Sequence, residues 1–260
     1  MPAPSPTDIR MLQRAPCAAL RPFVQQLIAV ECLADVRDSH LPDTASVLAF
    51  SFRERCRLDD GRAVPAAAFT GLQDRLRGHA HPRGHSLVLA KFTPVGAAAL
   101  LRPPQDAFAG ATVDLDDLDE PDRGRQRLLD QLAAASGAAA RLDRLEAYLL
   151  HRLGHARPDP LVAAAIDWLQ RAPADARIET LSRYIGLSQS ALERRFRRIV
   201  GVTPKRYATT LRLERALSLY RPGSDLTELA LRAGYYDQAH FNHDFRRAAG
   251  RSPGAYFDAA

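Results

Sequence analysis

The stretch GLSQSALERRFRRIVGVTPKRY, Gly186–Tyr207, is written a second time as GYYDQAHFNHDFRRAAGRSPGAY, Gly234–Tyr256. Both copies run glycine, short turn, apolar residue, F-R-R, glycine, [ST]-P and tyrosine. Leu181 matches Leu229 and Gly186 matches Gly234 at an offset of 48 residues. Leu192 then matches Phe241, Phe196 matches Phe245, Gly201 matches Gly250, Pro204 matches Pro253 and Tyr207 matches Tyr256 at an offset of 49. The second turn has gained one residue, and the rest of the unit is kept. A helix, a glycine stop, a short turn, a cap and a second helix make a helix-turn-helix.

The caps bracket seven helices in this half. Leu161–Arg171 is the first, and Ile178–Ile185, stopped by Gly186, is the second. Ser188 caps a third helix that runs to about Val200. Thr203-Pro204 opens a long fourth through Tyr220, with proline in the first turn where its missing N–H costs nothing. Asp225-Leu-Thr-Glu228 has capping-box spacing for a fifth. Asp237 caps the sixth, to about Ala249, and Ser252-Pro253 opens the last.

On the third helix, Leu192, Phe196, Ile199 and Val200 share one face and are expected in the core. Ser190, Arg194 and Arg197, flanked by Gln189, Glu193 and Arg198, then face outward. On the sixth, Phe241, Phe245, Ala248 and Ala249 face inward. Ala239, His243 and Arg246 face outward, flanked by Gln238, His240, Asn242 and Arg247. A polar face that becomes basic toward its C-terminal end suits the major groove, where side chains reach base edges and arginines meet phosphates or guanine. The fourth helix, about sixteen residues at 1.5 Å each, is roughly 25 Å long. With the flanking helices it is expected to set the two units about one DNA turn, roughly 34 Å, apart.

Charge agrees with this reading. Residues 161–260 hold 16 Lys and Arg against 10 Asp and Glu, whereas the first 160 residues hold 20 of each, so the net charge of +6 lies in the duplicated half. A one-sided surplus points to a polyanion partner for that half.

The C-terminal hundred residues resemble the DNA-binding domain of the AraC/XylS family of bacterial transcription regulators. LSRYIGLSQSALERRFRRIVGVTPKRYATTLRLERAL and LTELALRAGYYDQAHFNHDFRRAAGRSPGAYF carry the likeness. The resemblance implies promoter DNA and RNA polymerase as partners, and a homodimer. By motif position it implies base reading by Ser190, Glu193 and Arg194, and by Gln238, Ala239, Asn242 and His243. His243 departs from the pattern, which has arginine there. Histidine is shorter and lacks arginine's permanent charge, so the second unit is expected to hold DNA less tightly or to read a different base.

The first half reads as β-rich. FVQQLIAVECL, SVLAFSF and HSLVLAKFT have strand length and are separated by turn material such as LPDT, DDGR and HPRG. LPDTASVLAFSF, AFTGLQ and FTPVGAAALL resemble an uncharacterised domain often fused upstream of AraC-type domains, which implies a sensor for a small-molecule effector. Phe50, Phe52, Phe69 and Phe92 are expected in its core, with a ligand-enclosing shell as the rival reading. DLDDLDEPD, Asp114–Asp122, reads as a solvated acidic linker. RGRQRLLDQLAAAS and AARLDRLEAYLLHRLG read as helices. The leucine stripe Leu142, Leu145, Leu149 and Leu153 either packs on its own domain or makes a dimer contact. The expected fold class is α+β: a β-rich regulatory domain over 1–120, a helical linker over 121–157, and an all-α domain with two helix-turn-helix units over 158–260.

No run of apolar residues is long enough to span a membrane. MPAPSPTDIRMLQRAP has no apolar stretch after a basic start, so no secretory signal is expected. Cys17, Cys32 and Cys56 form no disulfide framework or C-x-x-C pair, in keeping with a reduced cytoplasm. HAHPRGH places His79 and His81 two apart, with His85 returning across a turn. Pro82, Arg83 and Gly84 favour a loop and no carboxylate follows closely, so no metal or cofactor is expected, although the three histidines leave that reading standing. The rival function is an enzyme: a DNA-alkylation-repair protein, or another β-rich enzyme anchored by an AraC-type domain. The cysteines lack the close spacing that a zinc-held methyl acceptor needs, and no Ser/His/Asp or paired-carboxylate set stands out. The expected protein is therefore not an enzyme.

Overall fold

A computed structural model of the protein describes residues 8–101, 103–118, 123–154, 156–171 and 177–258. The strands are β1 (Ile9–Arg14), β2 (Val24–Cys32), β3 (Val36–His40), β4 (Val47–Arg53) and β5 (Arg57–Leu58), then β6 (Ala67–Thr70), β7 (Arg77–His81), β8 (Ser86–Phe92) and β9 (Thr112–Asp114). Six form an antiparallel sheet in the order β1-β2-β8-β4-β6-β9, and three form a smaller one, β3-β7-β5. The three strands expected from sequence are the adjacent centre of the main sheet, β2-β8-β4. Their alternating apolar residues explain this: Val24, Leu27 and Ala29, then Val88, Ala90 and Phe92, and also Leu48 and Phe50, are buried on one face.

That face is covered by α2 (Arg123–Ala134) and α3 (Ala138–Leu153), which follow the single-turn α1 (Ala97–Leu100). Leu128 and Leu132 of α2 and the whole stripe Leu142, Leu145, Leu149 and Leu153 of α3 join the same core as Phe50, Phe69 and Phe92. The two helices of the segment expected as a linker are therefore a layer of the first domain, and the leucine stripe is consumed by its own sheet. Four buried leucines, three of them completely, at about 1.5–3 kcal/mol for each fully buried side chain are a large share of what holds this layer down. Arg14 reinforces it, reaching Asp143 at 2.6 Å and Glu146 at 3.2 Å.

The acidic stretch is also not simply solvated. Asp114 ends β9 and caps the turn of 3-10 helix Leu115–Asp117, Leu115 is buried, and Asp116 pairs at 2.7 Å with the buried Arg125. The rest of that stretch, residues 119–122, lies outside the described residues. Phe50 and Phe69 sit edge-on to Tyr148 and Phe108, and Phe52 lies under the Arg141 guanidinium. The aromatics fill the core. A cleft of about 610 Å³ lies outside it, between β4, β6 and α2, bordered by Phe52, Arg55, Asp114 and Gln126.

The remaining chain is helical: α4 (Pro160–Arg171), α5 (Ile178–Ile185), α6 (Gln189–Val200), α7 (Pro204–Leu219), α8 (Leu226–Ala233), α9 (Gln238–Ala249) and α10 (Pro253–Phe257). The long helix stops at Leu219, one residue earlier than expected. Two separate cores flank it, one around Leu192, Phe196 and Tyr207 and one around Leu229, Phe241 and Phe245. The first domain reaches both. Leu72 and Val95 enter the first core and Leu41 packs on the second. Leu76 N–H donates to Ala248 O at 2.6 Å, and Arg206 pairs with Asp74.

Candidate nucleic-acid interface

The duplicated sequence folds as duplicated structure, down to its punctuation. Gly186 and Gly234 end α5 and α8 in the left-handed region at φ +74° and +95°, and Gly201 and Gly250 end α6 and α9 at +96° and +74°. Only glycine enters that region without a Cβ penalty, so the stops fall where the glycines are. The N-caps match as well. Ser188 accepts from Ala191 N–H and Asp237 from His240 N–H, while Thr203 accepts from Arg206 N–H and Ser252 from Ala255 N–H. Each such cap is worth about 1 kcal/mol. The capping box at Asp225 forms by half. Asp225 accepts from Thr227 and Glu228 N–H, and those bonds, Glu228's first, hold its carboxyl below the ordinary range. The Glu228 side chain turns instead to Arg232, 3.6 Å away.

The apolar faces of α6 and α9 point inward as expected. Leu192, Phe196, Phe241 and Phe245 are all fully buried, and Val200, Ala248 and Ala249 nearly so. Ile199 is half-buried at the edge of the first core. This fixes the rotation of both helices and turns the other face out. On α6, Gln189, Ser190, Arg194, Arg197 and Arg198 are exposed and Glu193 is half-buried. Arg197 leans back to Glu193 at 3.4 Å, while Arg194 and Arg198 make no ion pair with any described residue. On α9, Ala239, His240, His243, Arg246 and Arg247 are exposed, and Gln238 and Asn242 are half-buried.

The two faces are not equivalent. Gln238 is engaged by Thr227 Oγ1 at 3.0 Å. His240 lies 3.5 Å from the buried Asp244 and edge-on to Tyr235, and Arg247 lies 3.9 Å from the same carboxylate. Asp244 occupies the place of Arg195, which in the first unit is exposed and pairs with Asp159 at 2.7 Å. Several polar groups of α9 are thus held by their own unit, leaving His243 and Arg246 with no ion pair to a described residue. One surface residue escaped the sequence reading. Tyr236 is 87% exposed at the turn before α9. It is the residue by which the second turn is longer than the first, so the shift in offset was its signal.

Residues 181–259 match the helix-turn-helix domain family. An AraC-like transcription regulator of Streptomyces antibioticus is 35% identical over 100 residues, 38% of this chain and 33% of the relative. The C-terminal third of the chain is an AraC-type helix-turn-helix domain. The HTH-type transcriptional activator RhaS of Escherichia fergusonii is 35% identical over 102 residues, 38% of this chain and 37% of its own. The chain thus spans about a third of the length of these curated relatives, and the AraC-type domain is what they share with it. Among solved structures, ToxT from Vibrio cholerae aligns over 96% of this chain and 97% of its own at 9% identity, with a TM-score of 0.46.

The remaining candidates lie in the first domain. Cys32 and Cys56 are buried and Cys17 is half-buried, all as free thiols. The histidine segment is not a loop throughout. His79 and His81 lie on β7, and only Pro82–Gly84 turns before His85. No helix among the described residues is long and apolar enough to cross a membrane.

Proposed function

We propose that this protein is a sequence-specific, DNA-binding transcription regulator of the AraC type, working in the cytoplasm and not as an enzyme. The observation that carries this reading is the pair of helices α6 and α9, each buried on its apolar face by an equivalent core and bare on a basic face. In this reading Ser190, Glu193 and Arg194, with Gln189 beside them, read bases in one major groove, and Arg197 and Arg198 hold phosphates. Gln238, Ala239, Asn242 and His243 lie over the next groove, with His240, Arg246, Arg247 and the Tyr236 hydroxyl toward the backbone. The first domain, residues 1–157 including its helical layer, is the regulatory part, and the chain divides from the DNA-binding part near residue 158. A small-molecule effector, RNA polymerase and a second copy of the chain are the further partners. The packing of the first domain against both helix-turn-helix cores gives an effector a mechanical route to the DNA-binding face.

The test is selection of a preferred duplex by the full chain, followed by Arg194→Ala. A guanine contact predicts a loss of about 1–3 kcal/mol on the selected duplex and a smaller loss on random sequence. Equal weakening on both would make Arg194 a phosphate contact, and no preferred duplex at all would remove the regulator reading.

A further inference from the structure

Cys32 ends β2, His81 ends β7 and His85 immediately precedes β8, so the junction of the two sheets gathers one thiol and two imidazoles. One ligand atom from each lies within 4.8 Å of the others. Cys32 and His85 are buried and His81 is half-buried. The imidazoles face each other through Nδ1, 3.0 Å apart. On their far sides, His81 Nε2 lies 3.4 Å from Asp38 Oδ1 and His85 Nε2 lies 3.1 Å from Ser51 Oγ.

This arrangement orients lone pairs. An ionised carboxylate only accepts, so Asp38 draws the His81 proton to Nε2 and leaves Nδ1 as a lone pair aimed at His85. If Ser51 likewise accepts from His85 Nε2, a second lone pair meets the first. Two lone pairs at 3.0 Å repel unless a cation lies between them, and two nitrogens on one tetrahedral zinc stand about 3.3 Å apart. A carboxylate behind one metal-ligating imidazole and a hydroxyl behind the other is the outer shell such sites use to fix the ring and its tautomer.

We propose that Cys32, His81 and His85 bind one zinc-class divalent cation, with Asp38 and Ser51 fixing the two imidazoles from behind. Thiol and imidazole donors select zinc-class ions over magnesium or calcium. Binding releases the Cys32 thiol proton to solvent, and the thiolate together with the Asp38 carboxylate balances the two positive charges. Three protein ligands leave a fourth position for water or another small donor. His79 belongs to a neighbouring group, with Asp38 and His40, and not to this set. The ion would join the main sheet, through Cys32 and the start of β8, to the smaller sheet through β7.

The test is titration of the full-length, metal-stripped protein with Co2+, followed by displacement with Zn2+. The expected result is one Co2+ per chain with a sulfur-to-cobalt charge-transfer absorption that Zn2+ abolishes. That absorption should disappear in Cys32→Ser and persist in Cys17→Ser and His40→Asn. Asp38→Asn should keep the absorption and weaken affinity about 10–100-fold. Because the absorption is read on unmutated protein, a misfolded variant does not blunt the test. No Co2+ binding would overturn the proposal and leave Ser51, His85 and His81 hydrogen-bonded in a row beside the Asp38 carboxylate. Binding without the sulfur absorption, abolished by His40→Asn, would overturn it in favour of Asp38, His40 and His79.

Discussion

Glu214, on the helix that joins the two helix-turn-helix units, takes hydrogen bonds from Thr44 of the first domain: from the backbone N–H at 2.9 Å and from Oγ1 at 3.1 Å to each carboxylate oxygen. Burial raises the Glu214 carboxyl above its ordinary value, against the lowering effect of the Thr44 N–H, with Asp43 adding to the rise and Lys91 opposing it. Tyr207 stands close enough for its own hydroxyl to be raised, by burial first and the Glu214 charge second.

That relationship has a measurable sign. Between the ordinary carboxylate value and the raised folded one, the native state binds more protons than the unfolded chain, so this group's contribution to stability falls as pH rises through that window. Glu214→Gln keeps an acceptor for Thr44 N–H and carries no charge. Its urea midpoint relative to wild type should rise as pH climbs above the ordinary carboxylate value. A variant that loses ground over the same range would mean that the buried charge stabilises the junction. Comparing the two proteins cancels the titrating groups that do not interact with Glu214.

The helix-turn-helix half was legible in sequence because its signals are local. Glycine stops, Ser, Thr and Asp caps, proline in the first turn and apolar spacing each act within one helix, and all survive in the structure. The centre of the main sheet was legible for the same reason, since VQQLIAVEC, VLAFSFR and SLVLAKF are apolar enough to declare themselves. The smaller sheet was not. VRDSH and RGHAH are polar, and they become strands only through each other, with Asp38 opposite His79 and Val36 opposite His81. The carboxylate that HAHPRGH lacks in sequence arrives from β3, about forty residues earlier, and Cys32 from the end of β2. The helices after residue 122 announced their leucine stripe but not its partner, because a stripe fits any apolar surface of the right width.

Gly201 and Gly250 occupy the same place in the two units and differ in what surrounds them. A Cβ on Gly201 would stand 3.0 Å from Gln105 O of the first domain, whereas nothing lies within 4 Å of one on Gly250. Gly250→Ala should cost only the left-handed backbone penalty, roughly 1–2 kcal/mol. Gly201→Ala should cost more, because it also pushes the first domain away from the C-terminal end of α6. Thermal denaturation of both variants checks this, and equal losses would mean that the two domains separate without resistance at that contact.

His243 tests whether the second unit engages DNA. It is exposed on α9 without an ion pair to a described residue, at the position where the AraC/XylS pattern has arginine. Its neighbours Gln238, His240 and Arg247 are partly occupied by Thr227 and Asp244. An arginine at 243 extends further from the helix and brings a permanent charge and a planar fork of donors. If α9 lies in a major groove, His243→Arg should tighten binding. If the new contact is to phosphate, the slope of log affinity against log salt should steepen by about 0.9, the release of one counterion. If it is to guanine, the slope changes less and the preferred duplex gains a G at one position. Filter binding across a salt series, paired with selection from random duplexes, separates the two. Affinity, slope and preferred sequence all unchanged would place α9 away from the duplex, and α6 alone would then carry recognition.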